Sequence, residues 1–280
     1  MKIRTLFVLG IVSLALVACG GKKDNREEKP NGLLAGAELL HRDKAVYGLA
    51  CEGCTDSVVV LLPPDGSDPV TYNIINAHRN NQIYGKVKIG DWITVVLDDN
   101  NKKVATSVVD LDDLRGIWCY VVMPQMRDYD KMSKHLQQTM MRDMPDSVKA
   151  TYLIPREYGF WLRRNWVAQS VGYVGEKSSL EDESPVVYPQ LGYFTGWRMW
   201  NGKLVVARLA YPYGTVNEKK GDSLIYDTCN IDYLKDDSLV LSSDGISRGY
   251  YRKKNINDVN KKAIAIAAML KRKALKQATQ

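Results

Sequence analysis

The chain has 280 residues, 45% of them hydrophobic, and a formal net charge of +7, which suits one large or two modest globular domains. Its basic character is local, because residues 252–280 hold nine Lys and Arg against one acid and leave the rest of the chain at −1. This distribution argues against a nucleic-acid-binding protein. The three histidines (His41, His78 and His135) are scattered, which argues against a multi-histidine metal site.

The first eighteen residues have the organisation of a signal peptide. Lys2 and Arg4 give a basic start, and the apolar run at 6–17 is shorter than the about 20 residues that span a bilayer. Residues 16–19 (Leu-Val-Ala-Cys) resemble the lipobox of bacterial lipoproteins. That resemblance implies cleavage before Cys19, a diacylglyceryl group on its sulfur and stable anchoring in a membrane by two or more acyl chains. An ordinary secretory signal with an incidental cysteine is the alternative.

The segment after the lipidation site is typical of a tether. Residues 20–32 contain no apolar side chain, so they cannot contribute to a hydrophobic core. We therefore expect residues 19–43 to hold the folded part of the protein away from the membrane. Position 20 is glycine, whereas an aspartate there marks inner-membrane retention in some bacterial lipoproteins. The resemblance thus implies a cell-envelope protein of the outer membrane, on either its periplasmic or its surface face.

Residues 44–113 have the pattern of a small β-barrel domain. An apolar run at 57–62 ends at the strong turn sequence Pro-Pro-Asp-Gly at 63–66. Residues 89–96 begin at a turn and become β-branched, and 98–101 (Asp-Asp-Asn-Asn) is typical of a hairpin loop. About five or six short strands spaced roughly 10–15 residues apart favour a small barrel of the OB type.

Cys51 and Cys54 form a C-x-x-C motif inside this β-rich stretch. In an oxidising compartment such a pair can form a disulfide, exchange electrons or bind metal. A structural zinc site needs four ligands, and no second C-x-x-C is present. A local disulfide, or a thiol pair in a tight turn, is the favoured interpretation. Residues 47–54 also resemble the C-x-x-C segment of envelope lipoproteins that sense copper or redox stress, which implies an alternative function for Cys51 and Cys54.

Residues 114–253 predict a second, larger barrel. Strand patterns return from about residue 158 onward, and Asn201-Gly202 is the strongest hairpin sequence in the chain. The polar stretch at about 126–150 lacks a strand pattern and predicts an inserted helix. An antiparallel meander of about eight strands can close into a barrel without exposed edges.

The same region resembles the lipocalin-like domain family of bacterial outer-membrane lipoproteins, over residues 115–253. The residues that carry the resemblance are Gly116-Ile117-Trp118, Gly159-Phe160-Trp161-Leu162, Ala168-Gln169-Ser170, Trp200-Asn201-Gly202-Lys203-Leu204-Val205, Asp222-Ser223-Leu224, Asp237-Ser238-Leu239-Val240-Leu241 and Tyr250-Tyr251-Arg252. In the lipocalin pattern, the tryptophan of the first strand packs at the closed end beneath an arginine of the last strand. The resemblance therefore implies a Trp118–Arg252 cation–π pair, worth about 1 kcal/mol.

Aromatic residues make the second barrel a candidate ligand-binding domain. Alternation sends about half of the side chains on a strand inward. The residues expected to line a cavity are Trp161, Trp166, Tyr193, Trp197 and Trp200. Ligand cavities are mostly apolar with a few polar groups, whereas small barrels often fill their interiors with side chains. The sequence leaves both outcomes open.

The C-terminal segment, residues 254–280, predicts a basic amphipathic helix. Its apolar positions share one face and its lysines and arginines cover much of the other. Because the apolar face is partly alanine, docking on the barrel is favoured over insertion into an anionic membrane surface.

These patterns predict an all-β fold: an OB-like barrel, a lipocalin-like antiparallel barrel and a C-terminal helix. No Gly-x-Ser-x-Gly, phosphate-binding glycine loop or His-Glu-x-x-His is present, so we expect neither catalysis nor a cofactor nor a metal. The functional hypothesis is an anchored lipoprotein that binds a lipid-like small molecule. Envelope redox or copper sensing, and a structural module that docks envelope proteins, are the alternatives. We expect no nucleic-acid partner.

Overall fold

The computed structural model describes residues 43–146, 149, 152–174, 185–213 and 223–278. These residues form mostly β-strands, which confirms the predicted all-β class. The predicted signal peptide, Cys19 and nearly all of the tether lie outside the described residues, so they stay predictions. None of the described helices combines the length and the apolar character that crossing a membrane requires.

The first sheet contains six strands in the order β3-β2-β1-β5-β6-β4. They are β1 (Ala45–Ala50), β2 (Val58–Leu62), β3 (Val70–Asn73), β4 (Ile83–Tyr84), β5 (Trp92–Leu97) and β6 (Ala105–Asp110), with helix α1 (Ile75–Arg79) before β4. The sheet curls, because a parallel bridge joins Asn73 at the end of β3 to Val104 just before β6. Val59, Leu61, Ile93 and Val95 pack inside the curl and are almost completely buried.

A short helix, α2 (Leu111–Leu114), connects the two sheets. Asp110 caps its N-terminus, since Oδ1 of Asp110 accepts hydrogen bonds from the backbone N–H groups of Asp112 at 2.9 Å and Asp113 at 3.0 Å. Leu111 and Leu114 are buried in the same hydrophobic cluster as the interior of the second sheet. The connection is therefore part of the core.

The second sheet contains eight strands, each antiparallel to its neighbours, in the order β10-β9-β7-β16-β15-β14-β13-β12. The strands after α2 are β7 (Gly116–Val122), β8 (Gln125–Met126), β9 (Arg156–Leu162), β10 (Ala168–Val171), β11 (Val186–Val187), β12 (Gly192–Trp200), β13 (Lys203–Pro212), β14 (Leu224–Lys235), β15 (Ser238–Ser243) and β16 (Ile246–Lys253). Between β8 and β9, where an inserted helix was expected, lies α3 (Lys134–Asp143). β8 pairs with β11 in a separate two-stranded sheet.

The eight-stranded sheet nearly closes into a barrel where β10 meets β12. One antiparallel bridge, Val167 to Gly196, joins this seam. The rest is made by Ser170, whose hydroxyl donates to the Gly192 carbonyl at 2.6 Å and accepts from the Phe194 N–H at 2.8 Å. A side chain thus replaces part of the backbone ladder.

The two sheets are packed against each other at the closed end of the barrel. The Asn201-Gly202 turn between β12 and β13 meets the start of β1, where Oδ1 of Asn201 accepts from the N–H of Lys44 at 2.8 Å. The N–H of Asn201 donates to Oδ1 of Asp43 at 2.9 Å. Gly202 has φ of 77°, and an added Cβ would lie 2.9 Å from the hydroxyl oxygen of Ser107. A side chain at position 202 would therefore disturb both the turn and this contact. The predicted division into domains at residues 113 and 114 stays a prediction.

The C-terminal helix, α4 (Lys261–Ala278), begins on the outer face of the barrel. Asn260 fixes its start: the Asn260 amide donates to the carbonyls of Glu157 at 2.9 Å and Gly172 at 2.8 Å, and accepts from the Glu157 N–H at 2.6 Å. Val259 and Ala263 are buried beside it. The first turn of the helix is therefore docked on the protein.

Candidate functional site

The closed end of the second barrel is sealed around Trp118. Its indole N–H donates to the Leu114 carbonyl at 2.8 Å, and Cζ of Arg252 lies 4.2 Å from the centre of the Trp118 ring system. The Arg252 guanidinium also donates to the carbonyls of Arg115 at 2.7 Å and Asp113 at 2.5 Å. Burial lowers the pKa of Arg252 below its usual value, and the charges of Asp113 and Asp237 oppose that shift. The pair expected from the sequence is thus in direct contact.

Above this seal, the closed half of the barrel is filled with apolar side chains. The residues whose side chains point inward in this half are almost completely buried: Trp118, Leu162, Trp197, Met199, Leu204, Leu239 and Leu241. They form one continuous cluster that also includes Leu111 and Leu114 of α2. A ligand therefore has to bind in the other, open half.

An aromatic layer separates the filled half from the open half. Tyr250 contacts Phe160 with ring centres 5.2 Å apart and Tyr120 at 5.5 Å, and Phe160 contacts Phe194 at 5.7 Å. The rings are tilted or edge-on to one another, which is the favoured geometry for aromatic pairs. These four rings form an apolar floor beneath the open half of the barrel.

Charged side chains lie on the inner face above that floor. Asp227 is the cross-strand partner of the buried Val206, and Arg208 follows Val206 by two positions on β13, so both point inward. Nε of Arg208 lies 2.5 Å from Oδ2 of Asp227. Arg248 is the partner of the buried Leu241, and its Cζ lies 4.3 Å from the centre of the Tyr120 ring.

These inward-facing side chains are accessible to solvent. The side chains of Arg208 and Asp227 are 33% and 39% exposed, and Ile225, the cross-strand partner of Arg208, is 37% exposed. Arg248 is exposed as well. Because these residues face the interior of the barrel and not its outer surface, their exposure means that the open half is accessible to solvent between β13 and β16.

The opposite side of the mouth is covered by the segment that carries β11. The Tyr188 hydroxyl donates to the Ile154 carbonyl at 2.7 Å, and Cζ of Arg156 lies 3.6 Å from the centre of the Tyr188 ring. Leu191 is buried against Val122 and Tyr158. Among the described residues, this segment covers the side of the mouth opposite the exposed residues of β13–β16.

Burial raises the pKa values of two side chains in the interior, Tyr250 and Cys229. It raises the pKa of Tyr250 to about 12, although the nearby charge of Arg248 opposes the rise. Burial, together with the charges of Asp227 and Asp244, raises the pKa of the Cys229 thiol to about 11. Both groups are neutral near pH 7, so they contribute apolar surface and hydrogen-bonding capacity without charge.

The structure corrects the predicted set of cavity residues. Trp197 points inward, but it lies in the filled half, where its indole N–H donates to the Arg163 carbonyl at 2.9 Å. Trp166 lies on the β9–β10 turn at the closed end and contacts Trp197, with ring centres 4.8 Å apart. Trp161 is the cross-strand partner of Ile117 and packs with Val259 on the outer face.

The other two predicted cavity residues lie on the face of β12 opposite to their inward-pointing neighbours Phe194 and Met199. Tyr193 contacts Tyr211, with ring centres 6.0 Å apart, and Tyr213, with ring centres 4.9 Å apart. Trp200 ends β12 beside the Asn201-Gly202 turn, at the closed end. The physical reason for the Tyr193 error is a break in alternation, since the register of β12 shifts on both sides of Phe194. Such a bulge changes which residues point inward.

Cys51 and Cys54 do not belong to the second barrel. They lie in the connection between β1 and β2 of the first sheet. Both are free thiols. Sγ of Cys54 donates to the Cys51 carbonyl at 3.2 Å and accepts from the Val60 N–H at 3.3 Å, around a turn in which Gly53 has φ of 97°. Within the described residues, no group of three or more His, Cys, Asp or Glu side chains is arranged to hold a metal ion. The disulfide stays a prediction.

No protein-family model matches the sequence, and no curated protein matches it either. Among solved structures, the chain is similar to a lipocalin-like protein from Bacteroides thetaiotaomicron VPI-5482, with 17% identity and a TM-score of 0.27. The match covers 50% of this chain and 97% of that protein. The lipocalin-like architecture described here rests on the strand order and near-closure of the second sheet.

Proposed function

We propose that this chain is a membrane-anchored lipoprotein without enzymatic activity, whose second barrel binds a small apolar or amphipathic ligand in its open half. The observation that carries the proposal is an inward-facing, solvent-accessible surface above the aromatic layer of Tyr120, Phe160, Phe194 and Tyr250. An enclosed apolar surface with a few polar groups is the usual composition of a small-molecule site.

The geometry supports binding of a compact molecule. Each square ångström of apolar surface removed from water contributes about 25 cal/mol, and the aromatic layer offers such surface at the base of the open half. The filled half below it, with Trp118 and Leu239 fully buried, limits how deeply a ligand can enter.

Ligand binding can be tested with N-phenyl-1-naphthylamine, a neutral probe whose fluorescence increases in apolar surroundings. We expect saturable binding by the wild-type protein. Cys229 faces inward two positions from Asp227 on β14 and is close enough to Tyr250 to affect its pKa, so Cys229→Trp places a large ring on the inner face and should weaken binding by about tenfold or more. Fluorescence titration measures the affinity, and circular dichroism checks that the variant is folded.

Two matched controls accompany that titration. Cys229→Ser keeps the side-chain volume and should retain wild-type affinity. Thr228→Trp places the same bulky ring on the exposed outer face of the adjacent position, and should also retain it. Absence of probe binding to the wild-type protein, or equal affinity in Cys229→Trp and wild type, contradicts the proposed site.

Anchoring depends on Cys19, which is the residue of the lipobox-like sequence that carries the lipid. We expect Cys19→Ser, expressed from the full precursor in a bacterial host, to move the protein from the membrane fraction to the soluble fraction, because the acyl chains are lost. Immunoblotting of the fractions and mass spectrometry of the N-terminal peptide measure this. Cys51→Ser serves as the control and should remain in the membrane. An anchored Cys19→Ser protein argues against lipidation at this residue.

A further inference from the structure

We propose that the open half of the barrel selects compact amphipathic anions, with the anionic oxygens bound by Arg248 and a one- or two-ring body on the aromatic layer. This inference rests on the proposed ligand-binding function and names the chemical class of the ligand. It depends on three features of the interior: its charge, the position of Arg248 and the depth that is available.

The charge of the open half favours an anion. Arg208 is already neutralised by its ion pair with Asp227. Within the described part of the chain, no carboxylate forms an ion pair with Arg248. The nearest acid on the same hairpin, Asp244, lies on the exposed β15–β16 turn, and Asp232 faces outward, where it accepts from the hydroxyl of Ser242. Arg248 is therefore an inward-facing cation with which no carboxylate of the described residues pairs directly, and the charge of Asp244 reaches the interior at Cys229.

The position of Arg248 suits recognition of a planar or tetrahedral oxyanion. Cζ of Arg248 lies over the Tyr120 ring, 4.3 Å from its centre, so the guanidinium is in cation–π contact with that ring. Stacking uses the face of the guanidinium and leaves its N–H groups on the edge, where they can donate two parallel hydrogen bonds to a carboxylate, sulfonate or phosphate. A lysine at this position would provide a point charge without this geometry.

The depth of the open half limits the size of the ligand. The Arg248 guanidinium already lies on the aromatic layer, since its Cζ is 4.3 Å from the centre of the Tyr120 ring. The filled half begins directly below that layer. A compact body of one or two rings can therefore cover the layer beside Arg248, whereas an extended long acyl chain would have to leave through the mouth.

A pair of probes that share one framework tests the selectivity. 8-Anilinonaphthalene-1-sulfonate carries a sulfonate that N-phenyl-1-naphthylamine lacks. We expect the wild-type protein to bind the sulfonate about tenfold more tightly than the neutral probe, and Arg248→Gln to remove that advantage. The comparison is the ratio of the two affinities within one variant, so a change in the surface beside Tyr120 affects both probes and does not alter that ratio. Arg79→Gln, at an exposed position of α1, is the control and should bind both probes like wild type.

Competition then tests the size limit. 2-Naphthoate should displace the bound sulfonate probe more effectively than hexadecanoate does. Equal binding of the two probes, with no effect of Arg248→Gln, overturns the anion selectivity but leaves the proposed function standing. Stronger displacement by hexadecanoate overturns the size limit. Failure of both probes to bind the wild-type protein overturns the proposed function itself, so the two failures are distinguishable.

Discussion

Replacing Trp118 with alanine is expected to lower the free energy of unfolding by about 4 kcal/mol, the range observed for truncation of large buried aromatic residues. The Trp118 side chain is fully buried. Its removal leaves a cavity, deprives the Leu114 carbonyl of a hydrogen bond at 2.8 Å and removes the ring over which Arg252 stacks. Urea denaturation followed by circular dichroism measures the change.

Two further variants separate the contributions to this effect. Trp118→Phe keeps an aromatic ring beneath Arg252 but loses the indole N–H, and should cost about 1–3 kcal/mol. Arg252→Met removes the cation and its donors to the Asp113 and Arg115 carbonyls while keeping an apolar chain over the ring. We expect Trp118→Ala to be the most destabilising of the three. A loss below about 1 kcal/mol for Trp118→Ala would show that the closed end is not a major source of stability.

Local sequence patterns were sufficient for the parts of the fold that depend on neighbouring residues. Asn201-Gly202 predicted a hairpin, and β12 and β13 meet at that turn. The basic tail predicted a helix, and α4 occupies Lys261–Ala278. The Trp118–Arg252 contact followed from a family resemblance, because the two residues are brought together only by the pairing of β7 with β16.

The inner face of the barrel could not be assigned from sequence alone. On β12, strict alternation places Tyr193 and Trp197 on one face, but the shifted register around Phe194 separates them. The cross-strand register determines which charged residues face the open half. Asp227 shares the inward face with its partner Val206, and Arg248 shares it with its partner Leu241. One signal was available, since Arg208 interrupts the otherwise apolar run of β13.

The second large effect is expected at Asp110, in the connection between the two sheets, where the contribution to stability depends on pH. Asp110 is fully buried, and its Oδ2 has no hydrogen-bond partner within the described residues. Burial raises the pKa of Asp110 to about 7, and the charges of Asp113 and Asp91 add to the rise. The two backbone N–H groups that Oδ1 accepts at the start of α2 act in the opposite direction but do not cancel it.

The direction of the pH effect follows from proton binding in the two states. An unfolded chain releases the Asp110 proton near pH 3.8, the ordinary value for an aspartate, whereas the folded protein keeps it until about pH 7. Between these values the folded state binds more protons, so the contribution of Asp110 to stability falls as the pH rises. The difference between these two pKa values corresponds to a contribution of Asp110 to the free energy of unfolding of at most about 4 kcal/mol. This contribution is lost progressively between about pH 4 and pH 7.

Asp110→Asn is expected to remove this pH dependence, because an amide does not ionise in this range and its oxygen can still cap α2. Relative to wild type, the free energy of unfolding of the variant should therefore rise between about pH 4 and pH 7 and then stay constant. Urea denaturation of both proteins across that range measures the difference. The pKa values of Asp112 and Glu157 are lowered in the folded protein, and both groups are present in wild type and variant. Their contributions to the pH dependence of stability therefore largely cancel when the two proteins are compared. Asp130→Asn, at an exposed position, should show no such rise. A constant difference between Asp110→Asn and wild type at every pH would mean that folding does not raise the pKa of Asp110.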